Sequence, residues 1–509
     1  MHRLKKILTS RLILFVILVI FQVWLLFMLL WKAAVTYQFY QYLVYFSYIL
    51  VIYIANKKED SSYKIAWSVL ILILPLLGGM LYLFCGGRKM PKKLSNGTTQ
   101  ATQQMKHLLV QDPGTMERLK NIRPGVHKMF RYALETSNLP AYGNTEVTYY
   151  KSGEDFFEPF LAELKKAKHF ILMEYFIIDE GVMWNAILEI LKQKAAEGVE
   201  VKLIYDDFGC ATTLPDHYDR KLNRMGIETY RFNHMRPALI VQMNNRDHRK
   251  ICVIDNQVGF TGGLNLADEY INHIRRFGYW KDSACMLKGE AVWSLTVMFL
   301  GMYSYLRESR DPIDYEKYHL PTDIRTDRGL VQPFSDTPTD AEDVGLSMHL
   351  NMVNHAKQYV YIDTPYLIVN GDMQRALILA AKNGVDVRIL TPHIPDKWYV
   401  FEITQANYLP LIEAGVKIYQ YTPGFVHTKN FVSDDCVAIV GTVNTDYRSY
   451  YLHFECGALM YDVPAVMDIK KDFVDALAMS HEVTAEECRR VNVFRRVFRA
   501  LLNLASPLL

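Results

Sequence analysis

The spacing His-x-Lys-x4-Asp-x6-Gly-x2-Asn occurs twice in this chain of 509 residues. "HRKICVID" (His248–Asp255) is followed six residues later by "GGLN", and "HTKNFVSD" (His427–Asp434) at the same distance by "GTVN". A chain that repeats five side-chain types at one spacing is built from one unit used twice. The surroundings agree. "AKHFILMEYFI" (Ala167–Ile177) corresponds to "AKQYVYIDTPYLI" (Ala356–Ile368), and "EGVEVKLIYD" (Glu197–Asp206) to "NGVDVRILTP" (Asn383–Pro392). Buried-strand runs alternate with segments of helical period such as "MWNAILEILKQKAAEG", which stops at Gly198. That alternation predicts an α/β class with two α/β/α units, and units of one design pack about a pseudo-twofold axis that brings equivalent motifs face to face.

The first unit is expected over 142–310 and the second over 346–509. The polar, Pro-rich stretch 311–345 reads as the linker between them. Residues 94–141 read as a juxtamembrane linker and 1–93 as a membrane anchor of two or three transmembrane helices. "LILFVILVIFQVWLLFMLLW" (Leu12–Trp31) has the ~20 residues a spanning helix needs, and is longer than the apolar core of a signal peptide. "IAWSVLILILPLLGGMLYLFCGG" (Ile65–Gly87) is a second strong candidate, and the Tyr-rich 39–55 a weaker third. Arg3, Lys5, Lys6 and Arg11 precede the first run; Arg88, Lys89, Lys92 and Lys93 follow the last. With two spans both clusters obey the charge rule on the cytoplasmic side, which places the catalytic region there; three spans would put one cluster outside. Net charge is only +3, so no attraction to nucleic acid is implied, and seven scattered cysteines form neither a disulfide framework nor a zinc site.

Within each motif strand, side chains two apart share a face. His248 and Lys250 therefore point together, as do His427 and Lys429, while Arg249 points away. Asp255 and Asp434 fall at turns, away from the imidazoles, where their carboxylates brace the turn. Gly263 with Asn265, and Gly441 with Asn444, fall where the returning strand passes the histidine. Glycine there permits close approach, and the amides supply donors to an anion. Two facing His-Lys pairs suit phosphodiester chemistry that requires no metal or other cofactor. One imidazole attacks phosphorus, the other protonates the leaving alkoxide and then deprotonates the incoming alcohol, and the ammonium groups and amides stabilise the developing charge. Each histidine needs a carboxylate on its second nitrogen. Asp282, 34 residues after His248, and Glu455, 28 after His427, are the candidates. Lys281, Arg249 and Arg448 are either solvated charges or phosphate contacts.

These residues resemble the HKD signature of the phospholipase D superfamily, from about Tyr142 to the C-terminus. Within it, "LPLLGGMLYLFCGGR", "NNRDHRKICVIDNQVGFTGGLNLADEY", "VHTKNFVSDDCVAIVGTVNTDYRS" and the terminal "SPLL" are similar to the bacterial cardiolipin synthases. Asp247, where that family is expected to have Asn, and Lys281, where it commonly has Arg, depart from the pattern. The resemblance implies two phospholipase D-like units in a multi-pass cell-membrane enzyme. Phosphatidylglycerol would be both donor and acceptor, giving cardiolipin and glycerol through a covalent phosphatidyl-histidine. It also implies His248, Lys250, Asp255, His427, Lys429 and Asp434 as active-site residues, with the first histidine as nucleophile; the sequence itself is symmetric and does not assign the roles.

An anionic membrane surface is the expected partner. In "VFRRVFRALLNLASPLL", Phe494, Val497, Phe498, Leu501 and Leu502 share a helical face opposite Arg495, Arg496 and Arg499. Such a helix either lies in the headgroup layer or packs on the protein with a solvated arginine face. The alternatives to a synthase are a phospholipase D using water, a membrane-anchored nuclease, for which no basic, aromatic groove is evident, and an inactive scaffold.

Overall fold

The computed structural model describes residues 20–25, 27, 28, 31, 37–86, 97, 103–234, 244–307, 311, 313–326, 328–340 and 342–508. Helices α1 (Tyr37–Ala55), α2 (Ser61–Ile73) and α3 (Pro75–Cys85) come first. They pack through Leu50, Ile54, Trp67, Ile71 and Tyr82. Asp60 caps α2, accepting from the Ser62 and Tyr63 amides. The span expected at Ile65–Gly87 is instead broken at Leu74, because Pro75 has no N–H to continue the ladder and opens a new helix. Its two pieces have 13 and 11 residues. The weaker candidate lies in α1, whose Tyr and Gln residues dilute its apolarity. Among the described residues no helix is long and apolar enough to cross a membrane. The expected span Leu12–Trp31 lies largely outside the described residues.

The two units then follow. The first contains β1 (Thr145–Tyr150), α4 (Gly153–Lys165), β2 (Phe170–Tyr175), α5 (Val182–Ala196), β3 (Glu200–Asp206), β4 (Glu228–Phe232), β5 (Arg246–Asp247), β6 (Ile251–Ile254), β7 (Val258–Gly262), β8 (Tyr279–Lys281), β9 (Ala284–Gly289) and α6 (Val292–Leu306). The second contains β10 (Leu330–Asp336), α7 (Val344–His355), β11 (Tyr359–Asp363), α8 (Gly371–Lys382), β12 (Asp386–Pro392), α9 (Trp398–Ala406), β13 (Lys417–Tyr421), β14 (Gly424–Val426), β15 (Asn430–Ser433), β16 (Val437–Gly441), β17 (His453–Tyr461), α10 (Ala465–Leu477), β18 (Ser480–Glu482) and α11 (Val493–Ala505).

The first sheet runs β1-β9-β7-β6-β2-β3-β4 and the second β10-β17-β16-β15-β11-β12-β13-β18. Position by position the orders agree, as do the senses. β2-β3-β4 and β11-β12-β13 are parallel, and the motif strands β6 and β15 run antiparallel to β2 and β11. Two stretches expected as linkers carry structure. β10, inside 311–345, pairs with β17, and helices at 113–122 and 124–137, inside 94–141, pack on the second unit. Their signals are short and interrupted by Pro, so the polar flanks dominated the reading.

Strands such as "FILMEY" are buried on both faces because each sheet is covered twice. Outer faces are covered by amphipathic helices, including α5 through Trp184, Ile187 and Leu191. Inner faces share one core that draws on both units, around α6 and Phe473 of α10. Burial of α6 is nearly complete, from Val292 to Tyr303.

The C-terminal helix α11 packs on the protein but turns its apolar row outward, the face that a helix lying in the headgroup layer presents. It packs on α9 with Arg499 buried and Arg495, half exposed, reaching the same acid. Arg495 Nε lies 3.0 Å from Glu402 Oε2 and Arg499 Nε 2.7 Å from the same carboxylate, while Arg499 also bonds Gln405. Phe494 is 88% exposed, and Val493, Val497 and Leu501 are also outward, with Phe498 stacked on Trp398. A partly buried acid at Glu402 draws the guanidinium groups in, and the apolar row is left outside.

Candidate active site

Each motif is placed by the same local device. Asp255 and Asn256 have φ of +52° and +53°, and Asp434 and Asp435 +52° and +58°, conformations that Asp and Asn tolerate in the tight turns joining β6 to β7 and β15 to β16. From these turns the Asp255 carboxylate accepts hydrogen bonds from the backbone N–H groups of Lys168, His169 and Phe170 at 2.7–2.8 Å. The Asp434 carboxylate accepts from Lys357, Gln358 and Tyr359 at 2.8–3.1 Å. Each aspartate thus fastens its motif strand to the start of the neighbouring parallel strand, at the end away from the histidine. Both act on the backbone.

The histidines are brought together by two ladders that cross between the units. β5 pairs in parallel with the start of β17, and β8 in parallel with β14. At the end of the first, the His248 amide donates to the Phe454 carbonyl (2.9 Å); at the end of the second, the His427 amide donates to the Lys281 carbonyl (2.7 Å). The residue after each acceptor is an acid. His248 Nδ1 therefore meets both oxygens of Glu455 at 3.0 Å, and His427 Nδ1 meets Asp282 Oδ2 at 2.6 Å. Both expected carboxylates engage an imidazole, but each serves the histidine of the other unit, a pairing that separations along the chain do not reveal. A carboxylate on Nδ1 holds the proton there and leaves the Nε2 lone pair for chemistry.

Glycine makes room for this wiring. A Cβ on Gly263 would fall 2.0 Å from Asp282 Oδ1, and one on Gly441 2.5 Å from the Cys456 carbonyl oxygen. The residue after Gly441 is Thr442, whose hydroxyl donates to Glu455 Oε2 (2.5 Å). The two asparagines differ. Asn265 is committed to the fold, accepting from the Ile177 amide and donating to the Tyr270 hydroxyl, whereas Asn444 Oδ1 is buried without a partner.

All four basic motif groups are buried. Lys250 Nζ donates to the His248 carbonyl (2.6 Å), and Lys429 donates to that of His427. Burial brings the Lys250 ammonium down to about 7 and that of Lys429 to about 8, although the carboxylates of Glu455 and Asp282 pull the other way. Burial also lowers His427 to about 4 and His248 well below its ordinary value, with the ammonium groups of Lys250 and Lys429 adding to the effect at both. Each histidine feels both lysines, so the two motifs form one centre. The arrangement is a buried centre with two imidazoles and two ammonium groups, suited to an anion with one exchangeable oxygen substituent.

Three charges left open by the sequence have other duties. Arg249 is clamped between Glu174 (2.5 Å) and Asp247 (3.1 Å), and Lys281 holds both oxygens of Asp472 at 2.7 Å. Arg448 Nε donates towards His453 Nε2 at 3.5 Å. Two flanking residues escaped the sequence reading. His453 lies 5.6 Å from the His248 ring, and Trp280 5.2 Å from that of His427. Each stands two residues before an acid on a strand, the signal that would have found them.

Comparison with known proteins finds relatives over most of the chain. A family profile described as cardiolipin synthase, PLD-like domain, matches residues 160–276 and 350–477, and one described as phospholipase D-nuclease N-terminal matches 46–87. A cardiolipin synthase of Halalkalibacterium halodurans is 33% identical over 90% of this chain and 91% of its own. Cardiolipin synthase 2 of Bacillus cereus is 34% identical over 90% and 89%. In fold, the phosphatidylserine synthase of Haemophilus influenzae matches with a TM-score of 0.58 at 15% identity, covering 75% of this chain and 98% of that one.

Proposed function

Because this chain belongs to the cardiolipin synthase family of phospholipase D-like phosphatidyltransferases, we propose that it joins two molecules of phosphatidylglycerol into cardiolipin, releasing glycerol. The observation that carries the mechanism is the crossed pair of hydrogen bonds, His248 to Glu455 and His427 to Asp282.

His248 Nε2 attacks the phosphorus of the donor lipid, and the bond to the glycerol oxygen breaks. With the phosphodiester anion bound, His427 takes up a proton on Nε2 and delivers it to that oxygen; glycerol departs, leaving neutral His427 and phosphatidyl-His248. His427 then takes the proton from a primary hydroxyl of the second phosphatidylglycerol, whose oxygen attacks phosphorus as the bond to His248 breaks. One proton leaves and one returns, so the enzyme ends as it began. Lys250, Lys429 and the Asn444 amide stabilise the non-bridging oxygens. Asp255 and Asp434, active-site residues by resemblance, act by holding the motif strands in register.

The lipid arrives from an anionic membrane surface, met by the outward apolar row of α11 and the exposed Ile49, Ile52 and Ile73 of α1 and α2. Helix α11 also contacts α2, which makes these faces neighbours. The deciding experiment supplies the purified full chain, in mixed micelles, with labelled phosphatidylglycerol alone. Cardiolipin and glycerol are expected in equal amounts. Phosphatidic acid without cardiolipin would make the protein a hydrolase.

A further inference from the structure

His453 has no part in the transfer just described, yet it stands against its centre. It opens β17 two residues before Glu455, so the two side chains share a face. Its Nδ1 is buried without a hydrogen-bond partner and lies 3.6 Å from Glu455 Oε1, too far for a hydrogen bond. His248 Nδ1 approaches that same oxygen to 3.0 Å. One ligating atom from each of His248, His453 and Glu455 lies within 4.8 Å of the other two.

We infer that His248, His453 and Glu455 form a binding site for a divalent transition-metal ion of the zinc type, and that the ion switches the centre off. Ligands about 2.0–2.1 Å from a tetrahedral ion stand about 3.3–3.4 Å apart. The separations of 3.0 and 3.6 Å straddle that value, so small side-chain rotations complete the set. Two imidazoles and a carboxylate, with a fourth position open to water, are a zinc donor set.

The consequence for His248 follows from its tautomer. With Glu455 on Nδ1–H, its Nε2 lone pair faces the substrate. An ion on Nδ1 moves that proton to Nε2, and the imidazole remains neutral but can no longer attack phosphorus. The same shift at His453 puts a proton on Nε2 facing Arg448 and gives up their 3.5 Å contact. That cost restricts the site to the tighter-binding ions of the first row. The other half has no such site, because the residue two before Asp282 is Trp280, which offers no ligand.

The inhibitory part of this inference rests on His248 acting in the transfer, and the test keeps the two readings apart. The purified full chain in micelles is titrated with cobalt(II), read by visible absorption, and in parallel with zinc(II), read by cardiolipin formed. The wild-type protein is expected to show four-coordinate cobalt bands that zinc displaces, and transfer that zinc stops and a chelator restores. In His453→Asn, or in His453→Gln if the first variant does not fold, the bands vanish. The half-inhibiting zinc concentration, scored against each variant's own metal-free rate, rises at least tenfold. His427→Ala keeps the bands. Bands that persist in a folded His453 variant, a wild-type protein that binds no cobalt, or zinc that binds without slowing transfer would each overturn the proposal. Metal-free protein that makes no cardiolipin would instead overturn the function.

Discussion

The two histidines occupy the same backbone frame, but their neighbours differ. His427 has a single short bond to Asp282 and aromatic walls in Trp280, Tyr270 and Phe425, with ring centroids 5.2–5.9 Å away. His248 has both oxygens of Glu455, a carboxylate further fixed by Thr442, and ring neighbours in Phe176 and His453 at 5.2 and 5.6 Å, against three for His427 among the described residues. The frames match because Asp255 and Asp434 each fix three amides; the surroundings diverge because nothing in the backbone constrains the residue two before each acid. Aromatic faces tolerate a transient imidazolium, and a doubly held carboxylate keeps a neutral imidazole aimed. The comparison thus supports His427 as acid and base and His248 as nucleophile.

Removing either ring is the severest way to break this assignment. His248→Ala and His427→Ala should each lower transfer by about 10³-fold or more. A phosphatidyl adduct, detected on the intact protein by mass spectrometry, should accumulate in His427→Ala and never in His248→Ala. The opposite pattern exchanges the roles.

The acids come next. Asp282→Asn should cost about 10²-fold, since its one bond supports the ring that becomes charged, and Glu455→Gln about tenfold, since the amide oxygen still accepts from Nδ1. Equal losses in kcat would erase the distinction between the halves.

The pH profile probes what the halves share. The free enzyme needs both ammonium groups protonated, so kcat/KM should fall as pH rises through about 7 to 8, where Lys250 and Lys429 lose their protons. It should also fall on the acid side, where the His248 nucleophile, held by burial well below its ordinary value, gains one. The bound phosphodiester anion restores the lysine charges, so kcat should hold to higher pH. A kcat/KM that keeps rising above pH 8 would contradict the buried, charged lysines.

Asp255→Asn and Asp434→Asn should behave alike, each costing about 1–3 kcal/mol of stability while the folded fraction keeps its kcat. A kcat loss confined to one of them would reveal a difference between the halves absent from the geometry. The smallest effect is expected outside the repeat, where Phe494→Asp should weaken partition onto anionic vesicles about tenfold with micellar kcat unchanged.

Repetition made most of this legible from sequence. The motif spacing and the matched strands "FILMEYFI" and "YVYIDTPYLI" give the two units, and the i, i+2 rule gives the His-Lys faces. The positions of Asp255 and Asp434 follow from distance along a strand. Partnership across the units does not. Asp282 reaches His427 only because β8 lies beside β14, and no local pattern in "YWKDSAC" encodes that contact. The sequence leaves Arg249 and Lys281 open between solvent and phosphate because their partners Glu174 and Asp472 are 75 and 191 residues away. The hydrophobic run 65–87 reads as one span because its apolar character continues across the break that Pro75 imposes.

The crossed ladders have a genetic corollary. Neither unit owns a working centre, since each keeps its histidine and gives its acid away. A copy damaged at Asp282 can therefore be complemented by one damaged at His427, in the distant unit, but not by one damaged at His248, its near neighbour in the chain. Two damaged copies could then restore each other only by exchanging whole units, so complementation is set by the unit that carries the damage, although the histidine each acid serves lies in the other unit.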